Sequence, residues 1–408
     1  KDEEKVYELS KRKEEKVSDS YYIGGLETMK NDTPLRDYHN FLKSKLIEYV
    51  SSIGNKGISI MDTSIGQGGD IQKYLRSKNR INFLFGLDIS PDVNRAAKRF
   101  YFEKMKKPKA IFMQYDTSEI ISQKSGLLGD NTELNNILID ILYEKNRNIP
   151  KRYMSLVKKY GGLGKKGFDI ISSQFSFHYY CKDEVSLRNY MNNLSENCKP
   201  GGFFIGTCYD GVKVFQLLKE KENVEMKDEF GNLVYSIEKN YDIDDFSYKK
   251  GDPENNNQLL GNKIDVYMNS IGQKITEYLV NFEYIIKIMK EYDFELYTKD
   301  EKGLFGKSKY QYGPGIGGFE LILKDLRSIE DKSLTSNGNT KNIKININNR
   351  QNIEFELNND KKFNLKDVNF SNFKGYIGRI LLFKESLTIE NICSKYYCRD
   401  KLKCSFSI

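Results

Sequence analysis

"GISIMDTSIGQGGD", residues 57–70, is an apolar run of strand length that stops at a glycine-rich turn and opens into "DIQKYLRSK". A strand that feeds such a turn lets backbone N–H groups and a helix N-terminus approach a ligand closely. The segments downstream repeat the theme. "NFLFGLDIS" (82–90), "KAIFMQYDT" (109–117), "GFDIISSQFSF" (167–177) and "GGFFIGTCYD" (201–210) each have strand length. Helical periods separate them: "PDVNRAAKRFYFEKMKK" starts at Pro91, and "DEVSLRNYMNNLSENCK" runs into the stop "KPGG" at 199–202. This alternation predicts a mostly parallel α/β sheet with helices on both faces.

Acidic residues stand where such strands end. Asp88 closes the second strand, beside the glycine turn, where a carboxylate can take two ribose hydroxyls. Asp116 closes the third, where an acid meets an adenine amino group. A dinucleotide turn would read GxGxxG and cradle a pyrophosphate. Here Ser64-Ile65-Gly66-Gln67-Gly68-Gly69-Asp70 ends in an acid and carries no basic group, which favours S-adenosylmethionine, a cationic sulfonium, over NAD.

Several separated segments then carry a resemblance. "PLRDYHNFLKSKLI" (34–47), "DTSIGQGGD" (62–70), "FDIISSQFSFHY", "GGFFIGT" and "EYLVNFEYI" occur in the order of the mRNA cap (guanine-N7) methyltransferases, over roughly residues 34–300. The chain most resembles the versions carried by large DNA viruses, where this domain often ends a longer capping polypeptide. The resemblance implies a Rossmann-like S-adenosylmethionine-dependent methyltransferase fold with a mostly parallel seven-stranded sheet, insertions and a β-rich C-terminal tail. It implies that Lys43, Ser64, Gly66, Asp88, Asp116, Gln174 and Tyr179 hold the cofactor. It places His39, Asn40, Lys73, Arg99, Phe175, His178, Tyr179 and Glu277 on the cap, with Lys73 and Arg99 toward the triphosphate. Guanine N7 bears a lone pair and no proton, so the implied reaction uses in-line positioning by His178, Tyr179 and Glu277 and no general acid or base. The implied partner is capped GpppN-RNA, with upstream capping domains on the same polypeptide or a stimulatory subunit beside it.

The chain departs from the family pattern at Ser64, where glycine is usual, at Gln67, where lysine is usual, and at His39 and Tyr209. These departures motivate an alternative, a weak or inactive methyltransferase fold serving as an RNA-binding scaffold in a capping complex. A methyltransferase with another substrate is a further rival. A cap 2′-O enzyme is disfavoured, since no lysine-centred K-D-K-E set is evident. Along the strand at 167–177, Phe177 is expected to point into the core.

The bulk numbers set the frame. The 408 residues carry a net charge of +8 and 13% aromatics, enough for a core and a polyanionic partner. The six cysteines show no disulfide spacing, and Cys393, Cys398 and Cys404 lack histidine partners nearby, so no metal is expected. No run of apolar residues reaches membrane length, and a reducing, cytoplasmic setting (a viral factory or virion included) is expected. Three stretches are read: a charged extension at 1–25, the methyltransferase domain at 26–325, and an Asn/Lys-rich tail at 326–408. Insertions fall at 118–166, with one helix expected at "TELNNILIDILYEKN", and at 211–275. "EYLVNFEYIIKIMKEY" (277–292) then reads as an amphipathic helix, and "GFELILK" (318–324) competes with "YIGRILLF" (376–383) for the last antiparallel strand.

Overall fold

The computed structural model describes residues 34–53, 57–297 apart from 78, 147, 228–230 and 270, and five strands between 316 and 385. Strands β1 (Ile58–Asp62), β2 (Ile81–Asp88), β3 (Lys109–Gln114), β4 (Phe168–Gln174) and β5 (Cys198–Tyr209) pair in parallel. The strands β10 (Phe294–Leu296) and β15 (Gly378–Glu385) complete the order β10-β15-β5-β4-β1-β2-β3, with β15 antiparallel to both neighbours. The strand β11 (Ile316–Gly318) pairs with the same edge of β15, beyond β10, and makes the sheet eight-stranded. The seven ranks expected are therefore present, the edge rank being split between two short strands.

Helices cover both faces: α1 (Pro34–Ile53), α2 (Ile71–Leu75), α3 (Val93–Phe102), α4 (Thr132–Tyr143), α5 (Met154–Tyr160) and α6 (Glu184–Asn197). Along β2, Phe83, Phe85 and Leu87 join one core, while Leu84 joins Ile58, Ile60 and Ile170 in the other. A strand buried on both faces reads as a near-continuous apolar run, which is why "NFLFGLD" lacks polar alternation. Helix α1 closes the second core with Leu42, Leu46, Ile47 and Val50, one stripe at helical spacing.

After β5 the chain runs through α7 (Gly211–Leu217) and builds an antiparallel sheet of β6 (Asn223–Lys227), β7 (Leu233–Asn240), β8 (Lys263–Met268) and β9 (Lys274–Tyr278). Helix α8 (Pro253–Asn257) lies within this insertion and α9 (Phe282–Glu291) follows it. A separate sheet joins β12 (Ile343–Asn346), β13 (Glu354–Leu357) and β14 (Lys361–Asn364).

Three expectations need correction. The segment "EYLVNFEYI" is not one helix: Glu277 and Tyr278 end β9, and the helix begins only at Phe282 after the N-cap Asn281, whose side chain accepts from the Tyr284 amide at 3.1 Å. Strand β4 ends at Gln174, so Phe177 reaches the core from a 3-10 turn (Phe177–Lys182) rather than by strand alternation. The insertion at 118–166 holds α5 as well as the one helix expected. "YIGRILLF" supplies the antiparallel strand β15, from within the stretch set apart as a tail. The extension at 1–25 and Cys393, Cys398 and Cys404 lie outside the described residues.

Candidate active site

Strand order reverses at β1, which lies between β4 and β2, so a crevice opens past the carboxyl ends of these strands. The glycine turn sits there. Gly66 takes φ 50°, and its amide donates to Asp88 Oδ2 at 2.6 Å, while the Ser90 amide donates to Oδ1 at 2.9 Å. Each Asp88 oxygen keeps a lone pair for another donor. Burial pushes the Asp88 carboxyl up to about 6. Asp116, two residues beyond β3, turns one oxygen to its own loop, accepting from the Ser118 amide at 2.9 Å and hydroxyl at 2.6 Å.

Asp62, which the sequence reading passed over, pins the turn from below. It accepts from Tyr74 Oη at 2.7 Å and from the Ser64 amide at 3.0 Å, and burial, with Asp70 second, pushes its pKa up to about 7. Its signal was visible as the acid that ends the first strand. Ser64 accepts from the Ser176 hydroxyl at 2.7 Å, and Ser176 lies 2.8 Å from Ser173 Oγ. The unusual serine thus links the turn to the strand end opposite.

Asp70 does not present a free carboxylate to a sulfonium. Burial works to raise its pKa, but Lys43 and Lys73 prevail and hold it well below the usual carboxylate range. Lys43 Nζ lies 2.9 Å and Lys73 Nζ 2.7 Å from Asp70 Oδ1. Lys73 also donates to Asn40 Oδ1 at 3.1 Å and to the Gly69 carbonyl at 3.0 Å, so the turn does own a basic group. Burial pulls Lys73 down to about 8. One surplus cation remains in this trio, with exposed Arg99 on α3 close by.

On the other side of the crevice, Gln174 donates to Ser172 Oγ at 3.0 Å and accepts from Thr207 Oγ1 at 3.1 Å. Phe175 follows at φ 57°, a left-handed conformation that costs a bulky residue about 1–3 kcal/mol. Two bonds hold it there, from its amide to the Thr207 carbonyl at 2.8 Å and hydroxyl at 3.1 Å. Its ring meets His39 at 4.5 Å between centroids, and Lys43 Nζ lies 5.9 Å over its face.

The 3-10 turn then buries His178, 1% exposed, against Glu277 of β9, 3% exposed. His178 Nε2 lies 3.5 Å from Glu277 Oε1. Burial pushes the imidazole down to about 3 and the carboxyl up to about 8, both shifts favouring the neutral forms over an ion pair. Both His178 nitrogens and Glu277 Oε2 find no hydrogen-bond partner among the described residues. Buried polar atoms left so are costly and call for a partner, whether water or a ligand. Tyr179 and Tyr209 ring the pair, with centroids 4.3 Å and 6.1 Å from His178. Tyr209, flagged only as a departure, accepts from Tyr235 Oη at 3.1 Å.

The sequence-read residues therefore gather at one sheet edge, in two groups. Lys43, Asn40, Lys73, Ser64, Gly66 and Asp88 line the turn, and Gln174, Phe175, His39, His178, Tyr179 and Glu277 line the aromatic side. Asp116 and Arg99 lie toward the margin.

An α/β sheet of this strand order, with β15 reversed beside β5 and an acid beside the glycine turn, is that of a Rossmann-like S-adenosylmethionine-dependent methyltransferase. Residues 30–313 match the mRNA (guanine-N(7))-methyltransferase domain, and the chain belongs to that family. A probable mRNA-capping enzyme of Acanthamoeba polyphaga mimivirus is 27% identical over 76% of this chain and 26% of its own length. An mRNA cap guanine-N(7) methyltransferase of Drosophila melanogaster is 27% identical over 68% of this chain and 57% of its own. That of Candida albicans is 27% identical over 62% of this chain and 49% of its own. The chain thus spans between a quarter and somewhat over half of these relatives.

The residues present fit S-adenosylmethionine. A side chain added at Gly69 would meet nothing within 4 Å, and one at Gly66 would come no nearer than 4.0 Å to Asp88, so the turn's outer face is open. The spare lone pairs of Asp88 leave room for further donors, such as a ligand's hydroxyls. No described helix is long and apolar enough to cross a membrane.

Proposed function

We propose that the chain methylates N7 of the guanine at the 5′ cap of GpppN-RNA, with S-adenosylmethionine as donor. The observation that carries the reading is the buried, unpaired edge made by Glu277 and His178. A guanine presents N1–H and the N2 amine as adjacent donors, and Glu277, neutral-leaning when empty, accepts both once these donors favour its ionised form. Neutral His178, still lacking partners, can serve a guanine or cap oxygen.

S-adenosylmethionine supplies an electrophilic methyl on its sulfonium. Asp88 takes the ribose hydroxyls, Asp116 the adenine amine, Gln174 the methionine end, and Lys43 the carboxylate, shared with Asp70. Phe175 and Tyr179 wall the guanine, His39 and Asn40 reach the cap nucleotide, and Lys73 and Arg99 meet the triphosphate. The Gln67 side-chain amide nitrogen, buried with no acceptor among the described residues, can donate to a cap phosphate in place of the usual lysine. Alignment of N7 with the methyl can account for about 7–11 kcal/mol of barrier in favourable systems, without proton transfer. Aromatic faces favour the growing positive charge on guanine.

The same reading sets the chain beside other capping activities, on one polypeptide or with a stimulatory subunit, in the cytoplasm or a viral factory. Cys181, Cys198 and Cys208 are buried and form no disulfide among the described residues, which suits that reducing setting. The test is methyl transfer to GpppG, free GTP and ATP in parallel. Transfer to GpppG supports the reading. Ligand binding without turnover would favour a scaffold, and transfer to free nucleotides alone would remove cap specificity.

A further inference from the structure

The end of α3 and the turn after it form a surface outside the methyl-transfer site. Arg95, Lys98, Arg99 and Phe102 fall at i, i+3, i+4 and i+7, so one stripe of the helix carries them. All four are exposed, Phe102 to 58%, and neighbouring Tyr101 to 39%. The Tyr101 and Phe102 rings stand at 87° with centroids 5.2 Å apart. Lys107 folds back on them, donating to the Tyr101 carbonyl at 2.6 Å with Nζ 5.5 Å from the Tyr101 ring. Lys104 and Lys106 are exposed on the same turn.

Asp92 offsets Arg95 at 3.5 Å at the start of the stripe, and beyond it little cancels the charge. Glu103, the one acid between 95 and 108, spends its carboxylate on the Lys104 and Met105 amides at 2.9 and 3.3 Å and on the Gln72 amide at 3.0 Å. That last bond ties the end of α3 to α2, which carries Lys73. Arg99 in turn lies close enough to Lys73 to add to the depression that burial causes there. The surface is therefore continuous with the phosphate edge of the crevice. Scattered exposed rings need no explanation. Rings interleaved with bases, opening from a phosphate site, match the stacking platforms and charged grooves that single-stranded nucleic acid uses.

We infer that this surface is the track for the single-stranded RNA that follows the cap. Lys98, Lys104 and Lys106 meet backbone phosphates, and bases stack on Phe102 and Tyr101. The inference rests on the cap reading for its direction, and its test separates the two. Methyl transfer is measured on GpppG and on a short capped RNA, and fluorescence anisotropy on the capped and uncapped RNA, for the wild type, Phe102→Ala and the double variant Lys98→Glu/Lys106→Glu. The variants should raise the KM and weaken the binding of RNA about fivefold or more, leaving GpppG kinetics and the melting temperature unchanged. The salt slope of RNA binding should fall by roughly 0.7 per lysine removed. Unchanged RNA affinity overturns the track, as does an equal loss on GpppG. If the wild type methylates neither substrate, the cap reading falls, and anisotropy with uncapped RNA still decides the track: weaker binding by the variants upholds it, equal binding overturns it.

Discussion

At the scale of single residues, Glu277 costs the empty protein stability that a ligand can return. Its folded pKa of about 8 stands above the 4.5 of an ordinary glutamate. The cost is absent below pH 4.5, grows as pH rises, and is complete above about 8, where it reaches a few kcal/mol. Glu277→Gln should therefore raise the melting temperature more at pH 8 than at pH 5, while abolishing transfer to GpppG; an equal gain at both pH values would contradict the buried-acid account. His178 has the opposite slope, since its pKa of about 3 lies below the usual 6.5 and its contribution fades as pH falls between them. Asp88 sets a second pH dependence. In the proposed cofactor site an ionised carboxylate holds the two ribose hydroxyls best, and burial pushes the Asp88 carboxyl up to about 6. Calorimetry should find S-adenosylhomocysteine binding weaker at pH 5 than at pH 7, and Asp88→Ala should abolish it. Glu277→Ala should leave cofactor affinity intact, and loss in both variants would argue against two distinct subsites.

At the scale of elements, the site depends on how β9 is delivered to the end of β4. The Gly211 amide donates to the Val280 carbonyl at 3.0 Å, and a side chain at 211 would come within 2.6 Å of that carbonyl. Backbone cannot swing aside as a side chain can, so the segment after Glu277 would have to move. Gly211→Ala should raise the cap KM about tenfold or more and leave cofactor affinity near wild type. Loss of cofactor binding instead would mean that β9 supports the whole crevice. Chain order made the parallel core legible, because buried strands read as apolar runs and glycines mark their ends. The placement of Glu277 on a strand was not legible. "EYLVNFEYIIKIMKEY" has helical spacing throughout, and only the Asn281 cap, bonded to Tyr284, divides it. The left-handed Phe175 was equally hidden, since its conformation is fixed by Thr207, thirty-two residues away.

At the scale of the whole molecule, residues far apart in sequence share one sheet edge. Asp62, Asp88 and Gln174 came together because the parallel strand ends do, and that much followed from the alternation of apolar runs; Glu277 reaches them on β9, from the separate antiparallel sheet. Pairings over long separations did not, and β15 is the plainest case, with two candidate segments of similar texture. Removal of residues 378–408 should expose the edges of β5 and β10 together, giving an insoluble chain or a melting temperature lower by about 10 °C or more. A soluble, equally stable product would show that β15 is dispensable. The insertion of β15 between these two strands also imposes a schedule on synthesis. Strand β10 ends at Leu296 and β15 at Glu385. At ordinary translation rates roughly 4–18 s pass between their completion. Through that interval the nascent chain holds a donor pocket with an open seam beside it, and a chaperone or an adjoining domain has that window in which to shield the edge.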